Sequence, residues 1–156
     1  QETDEDLQKL SNDIFMYYGL GCRSVSKIYL PKDYDLDILF KQVYSWKDII
    51  NNSSYYNNYT YNKTIYLMSE EKFFDNGFLI LKESTEIGSP IGAVFFEYYE
   101  NDNTVIKSLK KYSEKIQCIV GKNIVENSVE FGNTQRPSLD DFADKINTLD
   151  FLLKLS

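Results

Sequence analysis

The chain of 156 residues contains no histidine. That absence removes the imidazole base of a Cys–His or Ser–His pair. It also removes imidazole ligands for zinc, and two cysteines far apart in sequence do not make a thiolate site. No metal centre is therefore expected. Proline and glycine are sparse, at three and seven residues. The glycines form neither a P-loop nor a GxGxxG turn, so nothing in the chain cradles a phosphate. Cysteine is limited to Cys22 and Cys118, too little for a disulfide scaffold. Such usage points to a reducing compartment and a cytoplasmic protein. No apolar run approaches the ~20 residues of a membrane span. No basic segment followed by an apolar one marks a signal peptide. The formal net charge is -7, with lysine and arginine scattered rather than striped, which argues against a nucleic-acid partner. The chain starts at Gln1 rather than Met, which predicts that further residues precede it in a parent protein.

What is present suits one globular domain over residues 1–156, with 42% hydrophobic and 26% charged residues. Asp4-Glu5-Asp6 is an acidic first turn. Leu7, Leu10, Ile14 and Tyr17 then repeat at helical spacing, predicting a helix to about Tyr18 that Gly19 ends. Ser24 to Leu30 reads as a strand stopped by Pro31. Asp33 or Asp35 caps a helix with Leu36, Leu39, Phe40 and Val43 on one face. Asn51 to Asn58 reads as a loop and Tyr59 to Met68 as a helix. A turn at Asp75-Asn76-Gly77 leads into the strand Phe78 to Leu81. Ile91 to Tyr99 is apolar throughout, as in a strand covered on both faces. Thr104 to Lys115 reads as a helix, Ile116 to Val120 and Val125 to Phe131 as short strands. Leu139 to Ile146 reads as a last helix before an apolar tail, Phe151 to Leu155. Helices alternating with short buried strands predict an α/β fold, a three-layer domain with a largely parallel sheet flanked by helices.

One local arrangement stands out for chemistry. Tyr17-Tyr18-Gly19-Leu20-Gly21-Cys22-Arg23-Ser24 places a thiol beside two glycines and a cation. Glycine lets a substrate approach the backbone closely. A cation or a helix terminus favours a thiolate, which free cysteine reaches only near its ordinary pKa of ~8.5. The residues alone leave two readings of Cys22, a nucleophile or a small hydrophobe packed behind a glycine turn. Cys118, inside an apolar run, reads as a core thiol. Asp140-Asp141 reads as acid placed at a helix start, and Arg136 as a surface cation.

Three stretches in order resemble the catalytic domain of the aldehyde dehydrogenase superfamily. Gly19-Leu20-Gly21-Cys22 resembles its glycine-x-x-cysteine nucleophile motif. Glu86-Ile87-Gly88-Ser89-Pro90 resembles its Glu-x-Phe-Gly-Pro motif, with Gly88 in place of the phenylalanine and Ser89 in place of the glycine. Phe131-Gly132-Asn133 resembles its late Phe-Gly-Gly element. Within that superfamily the chain is similar to the acyl-CoA reductases of LuxC type, through Asp13 to Lys27, Tyr61-Asn62-Lys63 and Asp75-Asn76-Gly77-Phe78.

The resemblance implies a C-terminal catalytic lobe whose cofactor-binding lobe precedes it in the same parent chain. It implies that Cys22 attacks the carbonyl of an acyl-CoA, or another activated fatty acyl group, and that the acyl-thioester is reduced to aldehyde with NADPH. Gly21 and Phe131 would then flank the acyl substrate and Glu86 would hold the nicotinamide ribose. A homo-oligomer is compatible with it. As an isolated piece the lobe should not turn over. Two alternatives remain: a non-catalytic interaction module with a structural Cys22, and a cysteine acyltransferase or thioesterase.

Overall fold

A computed structural model describes residues 2–122, 125, 128–138, 141–142 and 146–155. Helix α1 (Asp4–Phe15) begins where the sequence places it. Thr3 caps it, its hydroxyl accepting from the Asp6 N–H while the Asp6 carboxylate accepts from the Thr3 N–H at 2.8 Å. This reciprocal pairing satisfies two of the donors that every helix start leaves open. Leu7, Leu10 and Ile14 are buried as the spacing predicts.

The rest of the order is β1 (Lys27–Pro31), α2 (Leu36–Val43), α3 (Ser53–Met68), β2 (Phe74–Asp75), β3 (Ile80–Glu83), β4 (Ala93–Tyr99), α4 (Asp102–Lys111) and α5 (Thr148–Leu153). The fold is α/β. Its four-stranded sheet has the order β1-β4-β3-β2, with β1 and β3 parallel to β4 and β2 antiparallel to β3. Ala93, Val94, Phe95 and Phe96 are all buried, so β4 is covered on both faces, as its unbroken apolar run predicts.

Helices flank the sheet. Lys82 and Phe95 are partners in register, and the Lys82 ammonium lies over both the Phe95 ring and the Tyr66 ring of α3. Tyr29, on the same face, shares a hydrogen bond with Ser108 of α4 at 2.8 Å. Tyr98, on the opposite face, donates to the Tyr34 carbonyl just before α2. Helices on both faces of a mostly parallel sheet are compatible with three layers.

Several boundaries differ from expectation. The predicted loop Asn51 to Asn58 is mostly helix, because Asn52 caps α3 by accepting from the Tyr55 N–H at 3.0 Å. Tyr55, Tyr59, Asn62 and Tyr66 then form its buried stripe. Tyrosine and asparagine are weak helix formers, and burial of that stripe overrides their propensity. Pro31 ends β1 rather than stopping it earlier, which a sheet edge tolerates. Ile116 to Val120 does not join the sheet; Val120 makes a single parallel bridge to Val129. The strand expected over Val125 to Phe131 lies partly outside the described residues and within them is reduced to that bridge. The helix expected over Leu139 to Ile146 also lies largely outside them. The apolar tail forms α5, with Leu149, Phe151, Leu152 and Leu153 exposed.

Candidate active site around Cys22

The backbone around Cys22 takes an unusual path. After α1, Tyr17 and Tyr18 adopt left-handed conformations, φ 55° and 60°, and Gly19 continues at 72°. Left-handed geometry costs an L-residue with a side chain roughly 1–2 kcal/mol. Two such tyrosines in succession are a strained turn that the surrounding contacts must hold in place. A second turn follows at once. The Ser24 N–H donates to the Gly21 carbonyl at 2.9 Å, so Cys22 and Arg23 occupy the tip of a tight turn. Cys22 is exposed there, ruling out the buried reading of its side chain. Tyr17, Tyr18 and Leu20 are exposed beside it.

Asp13 holds this region together. Its side chain is 1% exposed, yet it carries a carboxylate. The Gly132 N–H donates to Oδ2 at 2.7 Å. The Thr134 N–H and hydroxyl donate to Oδ1 at 3.1 and 2.8 Å. The Asp13 carbonyl accepts from the Val25 N–H at 3.0 Å. One residue thus fastens the end of α1, the segment 131–135 and the approach to β1. Gln135 completes the frame. A Cβ added to Gly21 would lie 2.6 to 2.9 Å from the Gln135 carboxamide, so this glycine leaves room for that amide beside Cys22. Asp13 and Gln135 were both missed from sequence. A signal existed for Asp13, since it falls within the stripe of Leu10, Ile14 and Tyr17, where a charge is out of place.

Arg23 does not stand free beside the thiol. Its guanidinium makes a two-pronged ion pair with Asp141 at 2.5 and 2.6 Å. Each partner perturbs the other: the carboxylate raises Arg23 above its ordinary value, and the guanidinium holds Asp141 below its own. Asp141 is thus engaged by a cation distant in sequence. The helix end that the Asp13–Val25 hydrogen bond brings beside this turn is the C-terminal end of α1. The cation expected to activate Cys22 is shared with Asp141.

Two cavities meet at the turn. The larger, about 610 Å³, is lined by Cys22, Ile28, Val105, Leu109, Cys118 and Phe131 among others. It separates β1 from the segment Ile116–Gly121. The smaller, about 220 Å³, includes Gly21, Cys22, Tyr55, Ser89, Pro90 and Gly92. Cys22 belongs to both. The smaller reaches the amino end of β4 at Ala93 and Val94, whereas the larger runs the length of β1 from Lys27 to Pro31 and reaches Tyr99 at the carboxyl end of β4.

The connection from β3 to β4, residues 84–92, returns along the sheet without a helix. It brings its middle to the thiol's turn: Ser26 Oγ donates to the Ile87 carbonyl at 3.4 Å. Ile87 and Gly88 line the larger cavity and Ser89 and Pro90 the smaller. Glu86 lines neither. It is exposed, with its N–H on Ser84 Oγ at 3.1 Å. Phe131 is half-buried, packed on the core and facing the larger cavity. Of the residues singled out in sequence, Cys22 and Phe131 line the larger cavity, Gly21 and Cys22 the smaller, and Glu86 neither.

No family model and no curated protein matches the chain. Among the described residues, no cluster of acidic or cysteine side chains is arranged to hold a metal ion. No described helix is long and apolar enough to cross a membrane.

Proposed function

We propose that the chain is the catalytic lobe of a nicotinamide-dependent acyl-CoA reductase in which Cys22 accepts the acyl group. The observation that carries this reading is the exposed thiol at the junction of two cavities, on a turn that glycine keeps clear. The wall of the larger cavity carries an apolar part suited to an acyl chain, Ile28, Val105, Leu109 and Phe131, beside charged groups such as Lys27, Asp102 and Lys115. The thiol sulfur attacks the thioester carbonyl, the carbon–sulfur bond to coenzyme A breaks, and the acyl group passes to Cys22. The Cys22 backbone N–H and the Gln135 carboxamide, which packs against Gly21, are the polar groups on hand for the developing oxyanion. A sulfur acyl carrier keeps the carbonyl electrophilic enough for reduction, which a serine ester would do less well.

The residues present fit only one end of a dinucleotide. Glu86 is a solvent-facing carboxylate at the rim, able to accept from ribose hydroxyls. Of the cations lining the cleft, Arg23, Lys27 and Lys122 are engaged by Asp141, Glu97 and Asp6, so the proposal assigns most of the phosphate contacts to the cofactor-binding lobe that the resemblance implies. When bound, NADPH would supply the hydride. The cytoplasm, where thiols stay reduced, suits this chemistry. A second reading, a non-catalytic module, is favoured by the ion pair that occupies Arg23.

Iodoacetamide labelling of the native chain, mapped by mass spectrometry across pH, separates the two. The proposal expects Cys22 to be labelled faster in the native chain than in the unfolded one, and ahead of the half-buried Cys118. A Cys22 profile that matches the unfolded chain would favour the non-catalytic module.

A further inference from the structure

The larger cavity is a gap beside the sheet. Every residue from 25 to 31 lines it. Successive side chains of a strand point to opposite faces, so a cavity that touches all of them runs along the strand's edge rather than over one face. β1 is the edge strand of its sheet. Its bonds to β4 show which backbone groups point into the gap. The Phe95 N–H donates to the Ser26 carbonyl and the Lys32 N–H to the Tyr99 carbonyl, both at 3.0 Å. Lys27 stands opposite Phe95 and Pro31 opposite Tyr99. Alternate residues of a strand bond to the same side, so Lys27 and Tyr29 turn their N–H and C=O groups away from β4. Among the described residues no backbone group pairs with them there.

The opposite wall is a second strand-like edge. Residues 115–122 all line the cavity. Ile116 is already extended, with φ -98° and ψ 114°. The Val129 N–H donates to the Ile119 carbonyl at 2.8 Å and the Gly121 N–H to the Val129 carbonyl at 3.1 Å. Val120 therefore turns its own backbone groups away from Val129. Val105 and Leu109 of α4, and Leu10 of α1 with Leu39 of α2, border the gap between these two edges. It has the place of a further strand between two helix layers.

We propose that segment 116–120 closes onto β1 and pairs with Lys27 and Tyr29, so that the gap shuts and the sheet gains a fifth strand. An edge strand with open N–H and C=O groups is a template for another strand. Ile116, Ile119 and Val120 are the β-branched residues that suit a strand buried on both faces. The segment is also held close by. Lys122 pairs with Asp6 of α1 at 2.5 Å, and the short turn Ser113–Lys115 joins the segment to α4. A closed gap and a filled gap exclude one another. The pairing rests on the two edges and does not depend on the acyl reading. If that reading holds, an acyl chain enters only while the segment stands off β1, and the strand gates the site.

Amide hydrogen exchange of the full, reduced chain, followed by nuclear magnetic resonance, tests this. The Lys27 and Tyr29 amides should exchange within about tenfold of Ile28 and Leu30, which bond to β4. Nuclear Overhauser contacts should join residues 27–30 to residues 116–120. Lys27 and Tyr29 amides that exchange as fast as in the unfolded chain, or protection without those contacts, would overturn the proposal. Val120→Pro removes an N–H from the facing edge. It should speed exchange at Lys27 and Tyr29 by about tenfold or more and leave Ile28 and Leu30 unchanged; equal exchange in parent and variant would also overturn it. Lauric acid in excess should speed the same two amides in the parent. A parent that shows the pairing but does not respond to lauric acid would count against the acyl reading alone.

Discussion

Replacing Asp13 should loosen the Cys22 region more than any surface change. The Asp13→Ala variant leaves the Gly132 N–H, the Thr134 N–H and the Thr134 hydroxyl without their acceptor. Thr134 is itself fully buried, so water does not readily replace the lost oxygens. Each buried donor left unsatisfied costs about 1–3 kcal/mol. Partial relaxation brings the expected total to about 3–5 kcal/mol, typical of removing one partner of a buried charged network. That is a large share of the ~5–15 kcal/mol that holds a domain folded. Asp13→Asn keeps one oxygen for Thr134 but turns an NH2 toward Gly132, and should cost roughly half as much. Urea unfolding followed by the fluorescence of Trp46, the chain's one tryptophan, measures both at constant m. Faster amide exchange at Gly132 and Thr134 should accompany the loss. Variants within about 0.5 kcal/mol of the parent, the range of ordinary surface substitutions, would refute the role assigned to Asp13.

Three further outcomes follow from particular contacts. Gly92→Ala should lower thermal stability by more than about 2 kcal/mol, because the glycine has φ +84° and an added Cβ would sit 2.8 Å from the Tyr59 backbone. Gly21→Ala should cost less than about 1 kcal/mol, since it meets only the flexible end of Gln135, yet it should slow iodoacetamide at Cys22; an unchanged rate would deny that the glycine clears the thiol. Burial, reinforced by the Asp75 carboxylate, pushes Tyr59 up to about 12, and burial raises Tyr55 too. The unfolded chain ionises these phenols near 10.0 while the folded chain keeps their protons, so their contribution to stability is full below that pH and declines above it, that of Tyr59 being lost as pH rises through about 12. Urea midpoints measured across that range should fall, and a flat profile would contradict it.

Local signals in the sequence were reliable guides to this fold. The acidic start of α1, the Asp75-Asn76-Gly77 turn and the unbroken apolar run of β4 each depend on near neighbours or on burial of one element. The start of α3 was hidden because its stripe is built from tyrosine and asparagine rather than leucine. The left-handed Tyr17 and Tyr18 were hidden because nothing in their side chains asks for that geometry; the fastening by Asp13 holds its surroundings. The sequence singled out Cys22 and Phe131, and the structure lines one large cavity with both. The pairing of Arg23 with Asp141 was not legible, since no spacing rule links residues so far apart. It matters because it takes up the cation that the sequence offers to the thiol. The exposed position of Glu86 was hidden for a similar reason: its place depends on how residues 84–92 return along the sheet.

The central claim concerns what the Cys22 sulfur does with an acyl-thioester. Incubation of the reduced chain with a long-chain acyl-CoA, followed by peptide mass spectrometry, measures it directly. The account predicts an acyl adduct on Cys22 that hydroxylamine removes, with Cys118 unmodified and no adduct in a Cys22→Ser variant. A Cys22 that stays unacylated, or adducts that form equally on both cysteines, would contradict it.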